Sequence, residues 1–201
     1  MDPFSTLNDE HRLIEKVIAA LRSYDNRIDH GADPADLGRF VEVIAGFADA
    51  RHHTKEEDIL FETMVAAGFP RQHGPIAVML SEHEMGRRYV GMLREVAARA
   101  GQWTAEDRAR IHEAVEGYSA LLTQHIAKED MILYPMARRN LPEEAVTAME
   151  ARFDELEGGE DAQSELENFL SIIDSLSTRY LDTHATSVRP LSMRTVAAAH
   201  R

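Results

Sequence analysis

The stretch His52-His53-Thr54-Lys55-Glu56-Glu57-Asp58-Ile59-Leu60-Phe61 returns in looser form as His125-Ile126-Ala127-Lys128-Glu129-Asp130-Met131-Ile132-Leu133-Tyr134. The chain thus has two halves that echo each other around a His-x-x-x-Glu pair. A lone histidine precedes each copy, in Glu10-His11 and in Glu82-His83. His83 follows His11 by 72 residues, while His125 follows His52 and Glu129 follows Glu56 by 73. One helical hairpin used twice would give this spacing, and its histidines and glutamates would then meet around a pseudo-twofold axis.

The residue types point to a metal. Residues four apart on a helix project from one face a turn apart, so His52 with Glu56 and His125 with Glu129 can each clasp an ion. Imidazole plus carboxylate is a ligand set for first-row transition metals, with iron, manganese and zinc as the candidates. Adding His11 and His83 gives four nitrogens and two carboxylates able to bridge, which suits a pair of metals inside a helical bundle.

Other His-x-x-x-Glu pairs occur at His11/Glu15, His53/Glu57 and His112/Glu116, and helical periodicity sorts them. At about 100° per residue His112 and Glu116 face away from His125. His125 shares its face with Ile111, Ala114, Tyr118, Leu121, Leu122, Ile132 and Met136, the stripe expected to face the core. His83 sits with Ile76, Met79, Leu80 and Val90, and His11 with Leu7, Ile14 and Ile18. Burying Glu129 among such residues without a partner would be costly, which leaves a salt bridge, a hydrogen bond or a metal. On the second helix the period does not decide between His52 and His53. The internal echo chooses His52 with Glu56 and leaves His53 at the core edge or behind the ligands. Tyr118 reads as a core tyrosine on the same face as His125, with a place beside the metals as the alternative.

The 201 residues, 44% of them hydrophobic, are enough for one full core with an appendage. A net charge of −13 argues against nucleic acid and acidic membrane surfaces as partners. The absence of cysteine excludes disulfides, thiolate sites, iron–sulfur clusters and cysteine nucleophiles. The first ten residues lack the basic and apolar regions of a signal peptide and no later segment resembles a membrane span, so a cytoplasmic protein is expected.

The predicted fold is all-α. A first helix is expected over about Ser5 to Asp29, capped by Ser5, Thr6 or Asn8. A second opens at Asp33-Pro34 and ends near Gly68, and a third runs from Gly74-Pro75 to near Gly101. A fourth is capped by Thr104 to Asp107 and is kinked or ended by Pro135 just after Tyr134. Short links make sequential helices antiparallel, hence an up-down-up-down four-helix bundle over 1–140. Residues 141–183 form an additional helical appendage, broken at Gly158-Gly159, that packs on the bundle or makes a dimer contact. Residues 184–201 read as a disordered tail.

The order of lone His, His-x-x-x-Glu, lone His, then His-x-x-x-Glu before Leu133-Tyr134-Pro135 resembles the hemerythrin-like, HHE cation-binding family over roughly residues 5 to 140. The resemblance implies a four-helix bundle around two iron ions with an oxo or hydroxo bridge, held by His11, His52, Glu56, His83, His125 and Glu129. Oxygen-carrying members have a second histidine on the third helix and close with His-x-x-x-x-Asp. Here Met79 and Arg87 flank His83, and Glu129 matches the inner face better than Asp130. Four histidines and two glutamates make simple oxygen transport doubtful. They favour a protein that binds or senses oxygen, peroxide, nitric oxide or iron, with a catalase-like or ferroxidase-like enzyme as the alternative. A monomer or homodimer is expected.

Overall fold

Cap chemistry sets the helix starts. The Asp2 carboxylate accepts from the backbone N–H of Ser5 at 2.9 Å, and Pro3 sits in the first turn, where no N–H donor is needed. Helix α1 therefore runs over Pro3–Asp25, starting and ending earlier than the sequence pattern indicates. In this computed structural model, which describes residues 2–99 and 102–181, α2 is a continuous helical run over 34–66 opened by Asp33 and Pro34. Helix α3 is Pro75–Ala97, and α4 runs over 105–140 from a reciprocal Thr104–Asp107 capping box. Helices α5, Glu143–Glu157, and α6, Glu160–Leu181, follow. The described residues are all-α.

Contacts between neighbouring helices run in opposite order along the chain. His11 meets His52 and Tyr24 meets Phe40 between α1 and α2, and Asp49 meets Arg87 while Glu57 meets His83 between α2 and α3. Glu82–His125 and Glu95–Arg110 join α3 to α4, and His11–Asp130 with Asp25–His112 join α4 to α1. The result is the expected up-down-up-down bundle. Its core is two apolar clusters, one around Phe40, Phe47 and Ile111 and the other around Phe4, Phe61 and Ile76. The histidines and glutamates of the repeat fall between them in sequence on α1, α2 and α3, and on α4 they bracket Ile126, the last residue of the first cluster on that helix.

Three stretches depart from α geometry: Ile44–His53 and Lys55–Leu60 in α2, and Glu129–Leu133 in α4, are π-helical. Bonding to the fifth residue fits more residues into each turn, so faces assigned with an α period drift out of phase. That is why Ile132, expected on the inner stripe of α4, is 55% exposed. It is also how the helix passes Pro135. The proline falls in the first turn of the α segment after the π turn, where a missing N–H is tolerated, and the helix continues to Asn140 instead of ending at Tyr134.

The appended helices pack on the bundle. The Ser23 hydroxyl donates to the Tyr180 carbonyl at 2.7 Å, the Tyr180 hydroxyl donates to Asp36 at 2.7 Å, and the Phe169 ring lies against Phe47. Gly46 permits that approach, since a Cβ there would fall 2.3 Å from the Phe169 ring. Met149 and Phe153 of α5 join the cluster around Phe61. The segment expected to be a tail, 184–201, lies outside the described residues. No helix among the described residues is long and apolar enough to cross a membrane.

Candidate metal centre

Each helix of the bundle contributes to one buried layer. His11 comes from α1, His52 and Glu56 from α2, His83 from α3, and His125 and Glu129 from α4, and all six are buried. They fall into two groups whose ligand atoms lie within 4.8 Å of one another, and the groups share Glu56. One group is His11, His52, Glu56 and Glu129. The other is His83, His125 and Glu56 together with His53. Glu129 also reaches across, 3.3 Å from His11 and 3.2 Å from His125.

His53 adds a fifth imidazole to the layer. It is buried and its ring stacks on His83 with centroids 3.7 Å apart. An α-helix would send two adjacent residues to different faces. The π-helical turns of α2 bring His52 and His53 into the same layer, one to each group. The twofold relation breaks here, because His53 corresponds to Ile126 in the other half.

Behind the histidines stands a ring of carboxylates. Nδ1 of every centre histidine faces one: His11 to Asp130 at 2.6 Å, His52 to Glu10 at 2.9 Å, His53 to Asp49 at 3.1 Å, His83 to Glu57 at 2.7 Å and His125 to Glu82 at 2.9 Å. A carboxylate on Nδ1 fixes the proton there and turns the Nε2 lone pair inward, as metal-ligating histidines require. Each carboxylate in turn meets a cation: Arg12 on Asp130, Lys55 on Glu10, Arg87 on both Asp49 and Glu57, and Lys128 on Glu82. Glu57 and Asp130 are therefore supports of the histidines, and Glu15 pairs with Arg12 at the surface.

The inner atoms fit metal cations. The inward Nε2 atoms of His83 and His125 lie 3.0 Å apart, and two lone pairs at that distance need a cation or a proton between them. Oε2 of Glu56 and both carboxylate oxygens of Glu129 are buried with no hydrogen-bond partner, which in an apolar core is costly without an ion. Tyr134, which sequence reasoning passed over, donates to Oε1 of Glu56 and stacks on His11 at 5.4 Å. Its counterpart in the first half is Phe61, so the repeat gave no hydroxyl to look for. Tyr118 is a core tyrosine and His112 is exposed beside Asp25.

Without metal, protons stand in. Burial opposes charge on His11 and His83, but carboxylate hydrogen bonds and the charges of Glu56 and Glu129 prevail and raise them to about 10 and about 9. Burial, then the charge of His83, push His53 down to about 3 and His125 down to about 4. Burial beside Glu56 raises Glu129, whereas Glu56 is held well below the usual carboxylate range by His52 and His83 against its burial.

The family model for the hemerythrin HHE cation binding domain matches residues 2–137. The chain belongs to this hemerythrin family. No curated protein matches the chain, and no solved structure does. The hemerythrin match covers the four bundle helices almost to the end of α4 and stops before α5 and α6. As a hemerythrin HHE domain it carries His/Glu clusters that could hold metal cations, five histidines and two glutamates in all.

Proposed function

We propose that the chain is a non-haem di-iron protein that binds or senses oxygen, peroxide, nitric oxide or iron. The observation that carries this reading is the pair of ligand groups sharing Glu56. Nitrogen and carboxylate donors without thiolate suit iron, with zinc or manganese as the competing metals. Bound iron would supply a place for a small oxygen or nitrogen species and the electrons to reduce it. The protein holds the imidazoles in one tautomer and keeps bulk water from the buried carboxylates. In the proposal His11, His52, Glu56, Glu129, His53, His83 and His125 are the ligands.

A second reading, a catalase-like or ferroxidase-like enzyme, is favoured by Tyr134. Its hydroxyl sits on Glu56 inside the layer, where it could donate a proton or hydrogen atom to a bound species. A cytoplasmic location, a monomer or homodimer, and freedom from nucleic acid and membrane belong to the same proposal.

The test is metal content and the ultraviolet–visible spectrum of untagged protein beside His52→Ala and His125→Ala. The di-iron reading expects about two irons per chain with charge-transfer absorption lost in both variants. Zinc alone, or no metal after reconstitution, would sink it. Peroxide consumption by the iron-loaded protein, reduced in Tyr134→Phe, would select the enzyme.

A further inference from the structure

Beside the centre, between α2 and α3, lies a cavity of about 190 Å³ whose buried end is His53. Ile44, Ala45 and Val90 give it apolar walls, Tyr118 closes it from α4, and Asp49, Arg87 and Arg94 bring charge to it. A cavity of about 150 Å³ accepts benzene when its walls are apolar. The charges say what else the occupant carries.

Arg87 is engaged, donating to Asp49 at 2.8 Å and to Glu57 at 2.6 Å. Arg94, two turns along the same face, makes no ion pair among the described residues. Tyr118 is only 2% exposed, yet its hydroxyl makes no hydrogen bond among the described residues. That hydroxyl is not among the fully buried unpartnered atoms, so it is open to the cavity it lines. An exposed guanidinium and a hydroxyl on one cavity, neither with an acceptor among the described residues, are complementary to a carboxylate. Arg94 therefore gives the lining a guanidinium that no carboxylate among the described residues neutralises, on a chain of net charge −13.

Gly86 points the same way. A glycine weakens a helix interior, and packing does not demand one here. A Cβ would meet only Leu122 at 3.6 Å and Tyr118 at 3.7 Å, both ordinary contacts. What its absence provides is room next to Tyr118.

We propose that this cavity binds a small carboxylic acid with an apolar body of about benzoate size. The ring or branched chain lies against Ile44, Ala45, Val90 and Gly86, and the carboxylate takes Arg94 and the Tyr118 hydroxyl. Arg87 stands beside that carboxylate in the lining and donates to Asp49, which supports His53 at 3.1 Å, so the added negative charge alters the support of one histidine. That coupling rests on the metal reading above; the binding itself does not.

The experiment is calorimetric titration of the purified full-length chain, its metal content counted in the same sample, with benzoate, phenylacetate and isovalerate. Benzyl alcohol serves as the uncharged control and acetate as the control without a body. Saturable binding of at least one acid, absent for both controls, is expected. Arg94→Gln, at the exposed mouth, should weaken it roughly tenfold or more, and Gly86→Leu should abolish it. No binding by any of the three acids, equal binding in Arg94→Gln, or benzyl alcohol binding as tightly as benzoate would overturn the proposal. In metal-containing samples the bound acid should shift the visible absorption, and binding with an unmoved band would overturn the coupling to His53. A chain that takes up no metal on reconstitution and still binds benzoate would leave the cavity standing and remove only the di-iron reading.

Discussion

Glu10 and His52 form one half of a support repeated on the far side of the bundle: Oε2 of Glu10 lies 2.9 Å from Nδ1 of His52, as Oε2 of Glu82 lies 2.9 Å from Nδ1 of His125. Each glutamate directly precedes the lone histidine of its own helix, and each takes a lysine, Lys55 or Lys128, three residues after the histidine it supports. The repeat therefore extends beyond the ligands to what orients them.

Removing that support while leaving the ligands intact should weaken the metals. Glu82→Gln keeps the side chain's size and takes away the charge that makes the His125 ring a stronger donor. We expect a loss of about 10–100-fold in metal affinity, the usual effect of such outer contacts. Competition with a chromophoric chelator measures it. Affinity unchanged within twofold would mean Glu82 serves only Lys128.

Lys55 is buried between Glu10 and Glu157, over the Phe153 ring. Lys55→Met would leave Glu10 in the core with only the more distant Arg51, at 3.9 Å, as a cation. Breaking a buried pair from one side costs about 3–5 kcal/mol, so denaturant unfolding should show a loss of that order. Because Glu157 belongs to α5, the same substitution should loosen that helix, read as faster amide exchange over 143–157.

His53→Ala and His112→Ala separate the centre from its decoys. The first should take one of the two metals with it and change the spectrum, because His53 belongs to only one ligand group. The second should change neither, since His112 is exposed and pairs with Asp25 at the surface. Full metal content in His53→Ala would return His53 to a packing role.

Acid and alkali should destabilise the metal-free protein for different reasons. The folded values of His53 and His125, about 3 and about 4, lie below the unfolded value of about 6.5. Below pH 6.5 the unfolded chain binds protons that the native state refuses, so stability falls on acidification. His11 and His83, raised to about 10 and about 9, act in reverse: their contribution is full below pH 6.5 and is lost as pH climbs through those values. Thermal melts of metal-free protein should peak near pH 6.5. Metal on the inward nitrogens should remove the alkaline fall, and metal affinity should rise with pH as ions displace protons. A metal-free melt that is flat from pH 6 to 10 would contradict these assignments.

The repeat marked His11, His52, Glu56, His83, His125 and Glu129 twice over, and around His11, His83 and His125 the neighbours also keep an α period. Four helices and their order followed from the same period with Pro34, Pro75 and Thr104 at the starts. His53 was hidden because its inward turn depends on π geometry, which an assumed α period cannot express. Ile132 was misplaced for the same reason. Tyr134 was hidden because its counterpart is Phe61. The supporting ring had a readable trace, Glu10 recurring as Glu82 and Lys55 as Lys128, but a surface salt-bridged helix would leave the same trace.

The π-helical stretch of α2 is equivalent to holding surplus chain within a helix that keeps its two ends in place. Deleting a single residue between 44 and 51 would relax it toward an ordinary helix that still buries Phe40 and Met64. One of His52 and His53 would then swing out of the layer. The presence of both histidines in one layer thus hangs on the length of chain between Phe40 and Met64.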